Sequence, residues 1–185
     1  MLSGNAMQHI PLMTHEQYQR QQLRRNSPYT ELWDLLDEVK DPEIPVLSLW
    51  DLGVLRDVSR EGETVQVTIT PTYSGCPAMD VMREDIEILL RSHGIEKIAI
   101  STVLAPAWTT DWMTDKGRAQ LRDYGIAPPD DALDQQGRET PAANVRCPHC
   151  GSTHTQRISE FASTACKALF QCNDCSEPFD YFKNI

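Results

Sequence analysis

Apolar and polar positions repeat along the chain with two different periods, which predict helices and strands in alternation. Apolar residues three or four positions apart predict a helix over residues 28–40, whose apolar stripe comprises Leu32, Leu35, Leu36 and Val39. A second stripe of this kind predicts a helix over residues 77–93. A shorter helix is predicted over residues 115–124, with Thr114 as its cap and Gly125 as its stop.

Between these helices, strict alternation predicts three strands, over residues 54–59, 64–70 and 97–104. The second strand has one apolar face, formed by Val65, Val67 and Ile69. Strands and helices in this order predict an α+β fold, with a small mixed sheet and two or three packing helices.

Composition divides the chain into four segments. Residues 1–26 are polar and rich in Gln and Arg, so they are predicted to be a flexible arm. Residues 27–125 contain the predicted α+β domain, and residues 126–144 have the Pro, Asp and Gln content of a linker. The last segment, residues 145–185, is too short to fold on hydrophobic burial alone.

Two pairs of cysteines give this last segment a way to fold. Cys147 and Cys150 form one CxxC pair, and Cys172 and Cys175 form a second pair after an interval of 21 residues. Two such turns direct four thiolates toward one point, which predicts a zinc ribbon with four cysteine ligands. Iron in the same geometry is the alternative. Metal binding supplies about 10 kcal/mol or more of folding free energy to such a module.

Two further cysteines lie outside these pairs. Cys166 lies within the ribbon segment, where it is either a small buried residue or an extra, exchangeable ligand near the metal. Cys76 lies between Gly75 and Pro77, at the expected start of the second helix. Unpaired backbone N–H groups at that position favour a thiolate, which can act as a nucleophile or as a soft metal ligand. A buried structural cysteine is the alternative.

Three acidic residues lie in the short loops that precede the first strand. Asp41, Glu43 and Asp51 are either turn formers and caps, or hard oxygen ligands that cluster near Cys76 at one end of the sheet. The second arrangement would place oxygen ligands beside a thiolate that can bind a metal.

Charge and composition exclude several classes of protein. The net charge is −10, and residues 145–185 carry four residues of each sign, so the basic footprint of a nucleic-acid-binding protein is absent from the sequence. Apolar residues make up 40% of the chain, but no window reaches the ~18 consecutive apolar residues of a membrane helix. The first 30 residues have no secretory signal, so the expected location is the cytoplasm, and paired cysteines there indicate a metal site rather than disulfides.

Two contiguous motifs resemble a known family. Residues 41–58, DPEIPVLSLWDLGVLRDV, and residues 70–82, TPTYSGCPAMDVM, resemble the small iron–sulfur assembly factors of the SufT type. Residues 106–129 and the ribbon segment make the resemblance narrower, to the PaaD family of accessory components encoded with phenylacetyl-CoA epoxidase. The resemblance extends over residues 28–185.

The resemblance implies an accessory factor of phenylacetate degradation, rather than an enzyme that turns over a substrate. Such a factor assists assembly or maturation of the di-iron or iron–sulfur centre of the epoxidase. Cys76 matches the functional thiol of the related factors, so transient iron or an iron–sulfur cluster is its implied ligand. Asp41, Glu43 and Asp51 match the acids of the family's motifs, and Thr72 is a further supporting residue. The implied partners are epoxidase subunits or iron–sulfur assembly proteins, and self-association is a further option.

Other interpretations remain open at this point. The chain could be a stable structural subunit of the epoxidase, or, less favoured, a nucleic-acid-binding ribbon protein. An independent thiol enzyme would need a base near Cys76, and no histidine is close to it in sequence. The C terminus also departs from the family, whose chains often end in FKCI, because Asn184 occupies the position of that cysteine.

Overall fold

The computed structural model describes residues 15–129 and 145–185. Its helices are α1 (His15–Asn26), α2 (Thr30–Leu36), α3 (Leu49–Leu52), α4 (Met79–Ser92) and α5 (Asp115–Tyr124). Its strands are β1 (Leu55–Glu61), β2 (Thr64–Ile69), β3 (Ile98–Thr102), β4 (Ile126–Ala127), β5 (Thr155–Ser159), β6 (Lys167–Cys172) and β7 (Pro178–Phe182). Within these two ranges, no helix is long and apolar enough to cross a membrane.

The first sheet is mixed, which confirms the predicted fold class. Its strand order is β1-β2-β3, with β1 and β2 antiparallel and β2 and β3 parallel. The apolar face of β2 is buried in one core with the inner residues of α2 and α4, namely Leu32, Trp33, Leu36, Met82, Ile86 and Leu90. The helical spacing of these apolar residues therefore places both helices on the same core.

The predicted α5 and its two ends are confirmed. The hydroxyl of Thr114 accepts a hydrogen bond from the backbone N–H of Gly117, at 2.9 Å, and so caps the first turn. Gly125 ends the helix with a φ of 93°, a left-handed conformation that favours glycine. A Cβ at Gly117 would lie 2.8 Å from the backbone oxygen of Asp51, so a glycine there lets α5 pack closely on α3.

The prediction of a flexible arm over residues 1–26 is wrong for its second half, which forms α1. Gln17 and Arg20 are buried although both are polar. The guanidinium of Arg20 donates to the backbone oxygens of Trp112, Trp50 and Leu55, so hydrogen bonds rather than an apolar stripe hold this helix. Residues 1–14 lie outside the described residues.

The second sheet forms the ribbon, with the order β4-β7-β6-β5. Its own small core contains Phe170, Phe179 and Tyr181. Ile126 and Ala127 form the parallel edge strand β4, so the predicted linker begins too early: these two residues belong to the ribbon sheet. Residues 130–144 of that linker lie outside the described residues.

The ribbon is joined to the first core by its last strand and the residues after it. Phe182 is buried in the first core, where its ring centroid lies 5.9 Å from that of Trp108. The backbone N–H of Thr110 donates to the carbonyl of Ile185, and the Thr110 hydroxyl donates to Asn184. These contacts place the surface of the ribbon against the end of the first sheet.

Candidate metal centres

Four cysteines of the ribbon converge on one point. The Sγ atoms of Cys147 and Cys175 are 3.8 Å apart, and those of Cys150 and Cys172 are 3.5 Å apart. All four sulfurs lie within 4.8 Å of one another. Tetrahedral coordination with zinc–sulfur bonds of about 2.3 Å requires sulfurs roughly 3.8 Å apart, so this cluster fits a structural zinc ion.

Backbone hydrogen bonds shape the two turns that present these sulfurs. Gly151 donates to the carbonyl of Cys147 at 2.9 Å, and its φ of 76° closes the first turn in the left-handed conformation. In the second turn, the backbone N–H of Cys175 is the main group that lowers the pKa of Cys172, to about 7. The ribbon thus holds at least one thiol that ionises readily near neutral pH, as a metal ligand requires.

A second group of thiols and carboxylates lines a small cavity at the end of the first sheet. The side chains of Asp41, Glu43, Thr72, Cys76 and Cys166 form its polar wall. The cavity has a volume of about 10 Å³, which is space for one water molecule or one metal ion. We refer to it as the Cys76 cavity.

Cys76 lies on the loop between β2 and α4, which also carries Thr72. The Cys76 backbone N–H donates to the carbonyl of Tyr73 at 3.2 Å, so the loop turns back on itself. The side chain is half-buried, in contrast to Cys147 and Cys172 of the ribbon, which are buried. Cys76 is therefore partly exposed to solvent.

Asp41 is buried and held by its own loop. Its Oδ1 accepts backbone hydrogen bonds from Glu43 and Ile44, at 2.9 and 2.8 Å. This arrangement is an Asx turn, which favours Asp at the start of this loop. Both of these hydrogen bonds to the carboxylate end on Oδ1, and the backbone N–H of Asp41 donates to the carbonyl of Leu47.

The cavity disfavours negative charge. Burial raises the pKa of Asp41, and burial together with the charge of Asp41 raises the pKa of Glu43. The pKa of Cys76 is raised by burial and then by the two acids, although a backbone hydrogen bond from Ala78 opposes this change. Groups that repel one another in this way are stabilised by a bound cation.

The prediction that a helix terminus activates Cys76 is therefore wrong. Helix α4 begins at Met79 and its cap is Ala78, so Cys76 lies before the helix rather than at its cap. Burial and the neighbouring acids outweigh the backbone N–H groups, so their net effect on the pKa of Cys76 favours a neutral thiol at neutral pH. The expectation that Asp41 and Glu43 cluster near this thiol agrees with the cavity that the structure describes.

Asp51, in contrast, is not part of the cavity wall. Its carboxylate accepts hydrogen bonds from the Thr114 hydroxyl at 2.6 Å and from the Lys116 ammonium at 2.7 Å. Burial would raise the pKa of Asp51, but these two hydrogen bonds outweigh it and lower that pKa. The expectation that Asp51 joins Cys76 is wrong, because its role is to tie α3 to α5.

Cys166 agrees with its first predicted role, a small buried residue, and not with the alternative of an extra ligand near the ribbon metal. It is buried in the first core, not in the small core of the ribbon, and it lines the Cys76 cavity. The ribbon metal cluster comprises only the four paired cysteines among the residues described. Cys166 is therefore not a neighbour of the ribbon metal, although it belongs to the ribbon segment.

Sequence reasoning missed three residues around this cavity. The buried Lys167 lowers the pKa of Asp41 and of Cys166 by its positive charge, and its Nζ lies 3.5 Å from Asp180. Tyr73 is half-buried on the same loop as Cys76, and the hydroxyl of Thr164 lies 3.1 Å from the sulfur of Cys166. In the sequence, only the nearness of Tyr73 to Cys76 and of Thr164 to Cys166 indicates that these two residues could belong to the site.

Comparisons with known families agree with this division into two modules. A family model described as "Iron-sulfur cluster assembly protein" matches residues 30–102. A second model, described as "PaaD zinc beta ribbon domain", matches residues 131–183. The first match contains Cys76 and the acids, and the second contains the four paired cysteines and Cys166.

Individual proteins also resemble the chain. It is 49% identical over 158 residues to an Escherichia coli protein described as one subunit of a "Putative 1,2-phenylacetyl-CoA epoxidase", a match that covers 84% of this chain and 92% of that one. It is 37% identical over 90 residues to a Porphyromonas gingivalis "Fe-S protein maturation auxiliary factor", covering 47% of this chain and 84% of that one. A crystallised domain of unknown function, DUF59, from Bacillus anthracis is 25% identical, with a TM-score of 0.47, and the match covers 50% of this chain and 89% of that one.

Proposed function

Because this chain belongs to the PaaD family, we propose that it is an accessory factor of phenylacetate degradation that assists maturation of a metal centre of the phenylacetyl-CoA epoxidase. The family name and the iron–sulfur assembly domain support the accessory role. The Porphyromonas relative is described as a maturation factor, which supports the proposal that this chain acts during maturation of the metal centre.

The observation that carries the proposal is the half-buried thiol of Cys76 beside two buried or half-buried carboxylates. A thiolate suits soft or borderline metal ions and a carboxylate suits hard ones, so the pair suits ferrous iron, which lies between them. Iron is the cargo in this proposal, either as an ion or on its way into a cluster. Partial exposure of the thiol allows the cargo to be transferred to a second protein.

The protonation state of Cys76 supports exchange rather than permanent binding. Since the pKa of Cys76 is raised, the thiol must lose a proton to solvent when it binds a metal. This requirement lowers the affinity for metal at neutral pH relative to a site with a preformed thiolate. A delivery factor needs this property, because a site that binds too tightly does not release its cargo.

The zinc ribbon would then act as the structural and docking module. Its four cysteines hold their sulfurs close together, which stabilises the module rather than presenting an open coordination position. The partners we propose are epoxidase subunits or iron–sulfur assembly proteins. All six cysteines are free of disulfides, which supports action in a reducing compartment such as the cytoplasm.

Replacement of Cys76 tests the proposal. In cells that lack their own copy of this factor, Cys76→Ser should accumulate as a folded protein but give at least about tenfold less mature epoxidase than the unaltered chain. The measurement is epoxidase activity per amount of oxygenase subunit. Ser74→Ala, an exposed change in the same loop, is the matched control and should restore full activity. Full activity with Cys76→Ser would overturn the proposal.

The name of the Escherichia coli relative favours a second candidate, a stable subunit of the epoxidase. The two candidates differ in stoichiometry. A maturation factor should be found with the oxygenase in amounts that fall as maturation is completed, whereas a subunit should co-purify at a fixed ratio. Quantitative mass spectrometry of the purified complex separates them.

A further inference from the structure

We propose that Cys166, contributed by the ribbon module, is the second thiolate ligand of the Cys76 cavity, so that one metal ion is bound between the two modules by Cys76, Cys166 and the carboxylates of Asp41 and Glu43. This inference deepens the proposed function and rests on it for the role of the metal as cargo. The cation class is a single divalent ion that accepts sulfur and oxygen ligands, such as ferrous iron.

The first observation is that two segments distant in sequence bring two thiols to one enclosed space. Cys76 comes from the loop before α4, whereas Cys166 immediately precedes β6 of the ribbon, and both line the same cavity. Besides the four proposed ligands, the residues of that wall are apolar apart from Thr72. Two cysteines with two carboxylates make up the four ligands that a tetrahedral site needs.

The second observation is electrostatic. Two thiolates and two carboxylates would together carry four negative charges around one small space. The buried Lys167 offsets part of this negative charge, but its ammonium also lies 3.5 Å from Asp180. A divalent cation would balance the remaining charge, and the two thiol protons would leave to solvent as it binds.

The size of the cavity decides between an ion and a cluster. A volume of about 10 Å³ accommodates one ion but not an iron–sulfur cluster, which contains several iron and sulfur atoms. Among the described residues, only the ribbon cysteines bring three or more ligand atoms within 4.8 Å of one another. The ligands of the Cys76 cavity must therefore move closer together when an ion binds.

The ribbon positions Cys166 through its backbone. The carbonyl of Cys166 accepts a hydrogen bond from the backbone N–H of Lys183 at 2.9 Å, and the hydroxyl of Thr164 lies 3.1 Å from its sulfur. The neighbouring Phe182 is buried in the first core. Loading the ribbon with zinc should therefore be required before the cavity can bind its own metal.

Cobalt titration of the full chain tests the inference. With the ribbon already loaded with zinc, one further equivalent of Co²⁺ should bind and give sulfur-to-cobalt charge-transfer absorption in the near ultraviolet. Cys166→Ser should lose about half of that absorption, as should Cys76→Ser, and each should weaken Co²⁺ binding at least about tenfold. Glu43→Gln should weaken binding without loss of the sulfur absorption. Ser163→Ala and Glu38→Gln, two exposed changes nearby, are the matched controls and should bind as the unaltered chain does.

A separate measurement covers the case in which Cys166→Ser disturbs the fold. In the unaltered protein, X-ray absorption spectroscopy of the bound Co²⁺ should show two sulfur neighbours, a readout that does not require the buried Cys166 to react with a reagent. One sulfur neighbour, or full sulfur absorption in a folded Cys166→Ser, would overturn the inference and leave the proposed function intact. Binding by both thiols with no effect of Cys166→Ser or Cys76→Ser on epoxidase maturation would instead overturn the proposed function.

Discussion

The two groups of cysteines in this chain differ in how far their ligands have already converged. In the ribbon, four sulfurs lie within 4.8 Å of one another, and the turns that carry them are fixed by backbone hydrogen bonds. In the Cys76 cavity, two sulfurs and two carboxylates line a common space but remain further apart, and one sulfur is half-exposed. The first arrangement fits a permanent structural ion, and the second fits an ion that comes and goes.

The charge state of the thiols does not by itself separate the two groups. The pKa of Cys172 is lowered by a backbone N–H group, but the pKa values of Cys147, Cys150 and Cys175 are raised, as is that of Cys76. The two groups differ instead in spacing, because only the ribbon sulfurs already lie within 4.8 Å of one another. Converged sulfurs fit a permanent ion, and more widely spaced ligands fit exchange.

The largest expected effect comes from breaking the ribbon site. Cys172→Ser removes one of four ligands and should release the ribbon metal, which supplies about 10 kcal/mol to the module. We expect loss of the ribbon strands in circular dichroism and less than about a tenth of the zinc content of the unaltered protein. Cys166→Ser is the matched control, since it lies outside the cluster and should retain the zinc. Equal zinc in both variants would contradict the assignment of the ribbon ligands.

The next prediction tests how strongly the ribbon is attached to the first core. Phe182→Ala should lower the free energy of unfolding by about 4 kcal/mol, because it empties a fully buried position where the ribbon enters the first core. Denaturation by urea measures this change. Phe161→Ala, at an exposed position of the ribbon, should change stability by no more than about 0.5 kcal/mol. Similar losses in the two variants would show that the ribbon does not depend on this contact.

A smaller loss of stability is expected on replacing Asp51, the acid that lies outside the Cys76 cavity. Asp51→Asn should lower the free energy of unfolding by about 2 kcal/mol at neutral pH, because the buried carboxylate accepts from Thr114 and Lys116. It should leave binding of metal to the Cys76 cavity unchanged. Asp123→Asn, an exposed control, should have little effect on stability.

The pH dependence of the Asp51→Asn effect follows from the direction in which folding shifts the pKa of Asp51. Since the pKa of Asp51 is lowered on folding, its contribution is fully present above the pKa of the unfolded chain, about 3.9. The contribution is lost as the pH falls through the lower pKa of the folded protein. The stability difference between the unaltered chain and Asp51→Asn should therefore shrink below about pH 4. A difference that grows under acid would show that Asp51 is not ionised in the folded protein.

Local features are predictable from the sequence, and features that depend on distant packing are not. The cap at Thr114, the stop at Gly125 and the spacing within each CxxC pair of the ribbon each depend on residues close in sequence, and the structure agrees with them. Helix α1 has no such signal, because buried hydrogen bonds of Arg20, rather than apolar periodicity, dock it on the core.

Two predicted positions fail for the same reason: Asp51 does not lie near Cys76, and Cys166 does not lie near the ribbon metal. The partner of Asp51 is Thr114, which is 63 positions away, so only the folded chain shows that this carboxylate is already engaged. The position of Cys166 between the two CxxC pairs suggests a place near the ribbon metal. In the structure, the start of β6 faces the first core, so the same residue lies beside Cys76 instead.

The central claim is that the chain holds one exchangeable metal at the Cys76 cavity in addition to the ribbon metal. Anaerobic titration of the zinc-loaded protein with ferrous iron tests it most directly. The account predicts one equivalent of iron that a chelator removes while the zinc stays bound, and at least about tenfold weaker binding of that iron in Cys76→Ser. No iron beyond background in the unaltered protein, or equally tight binding in Cys76→Ser, would contradict it.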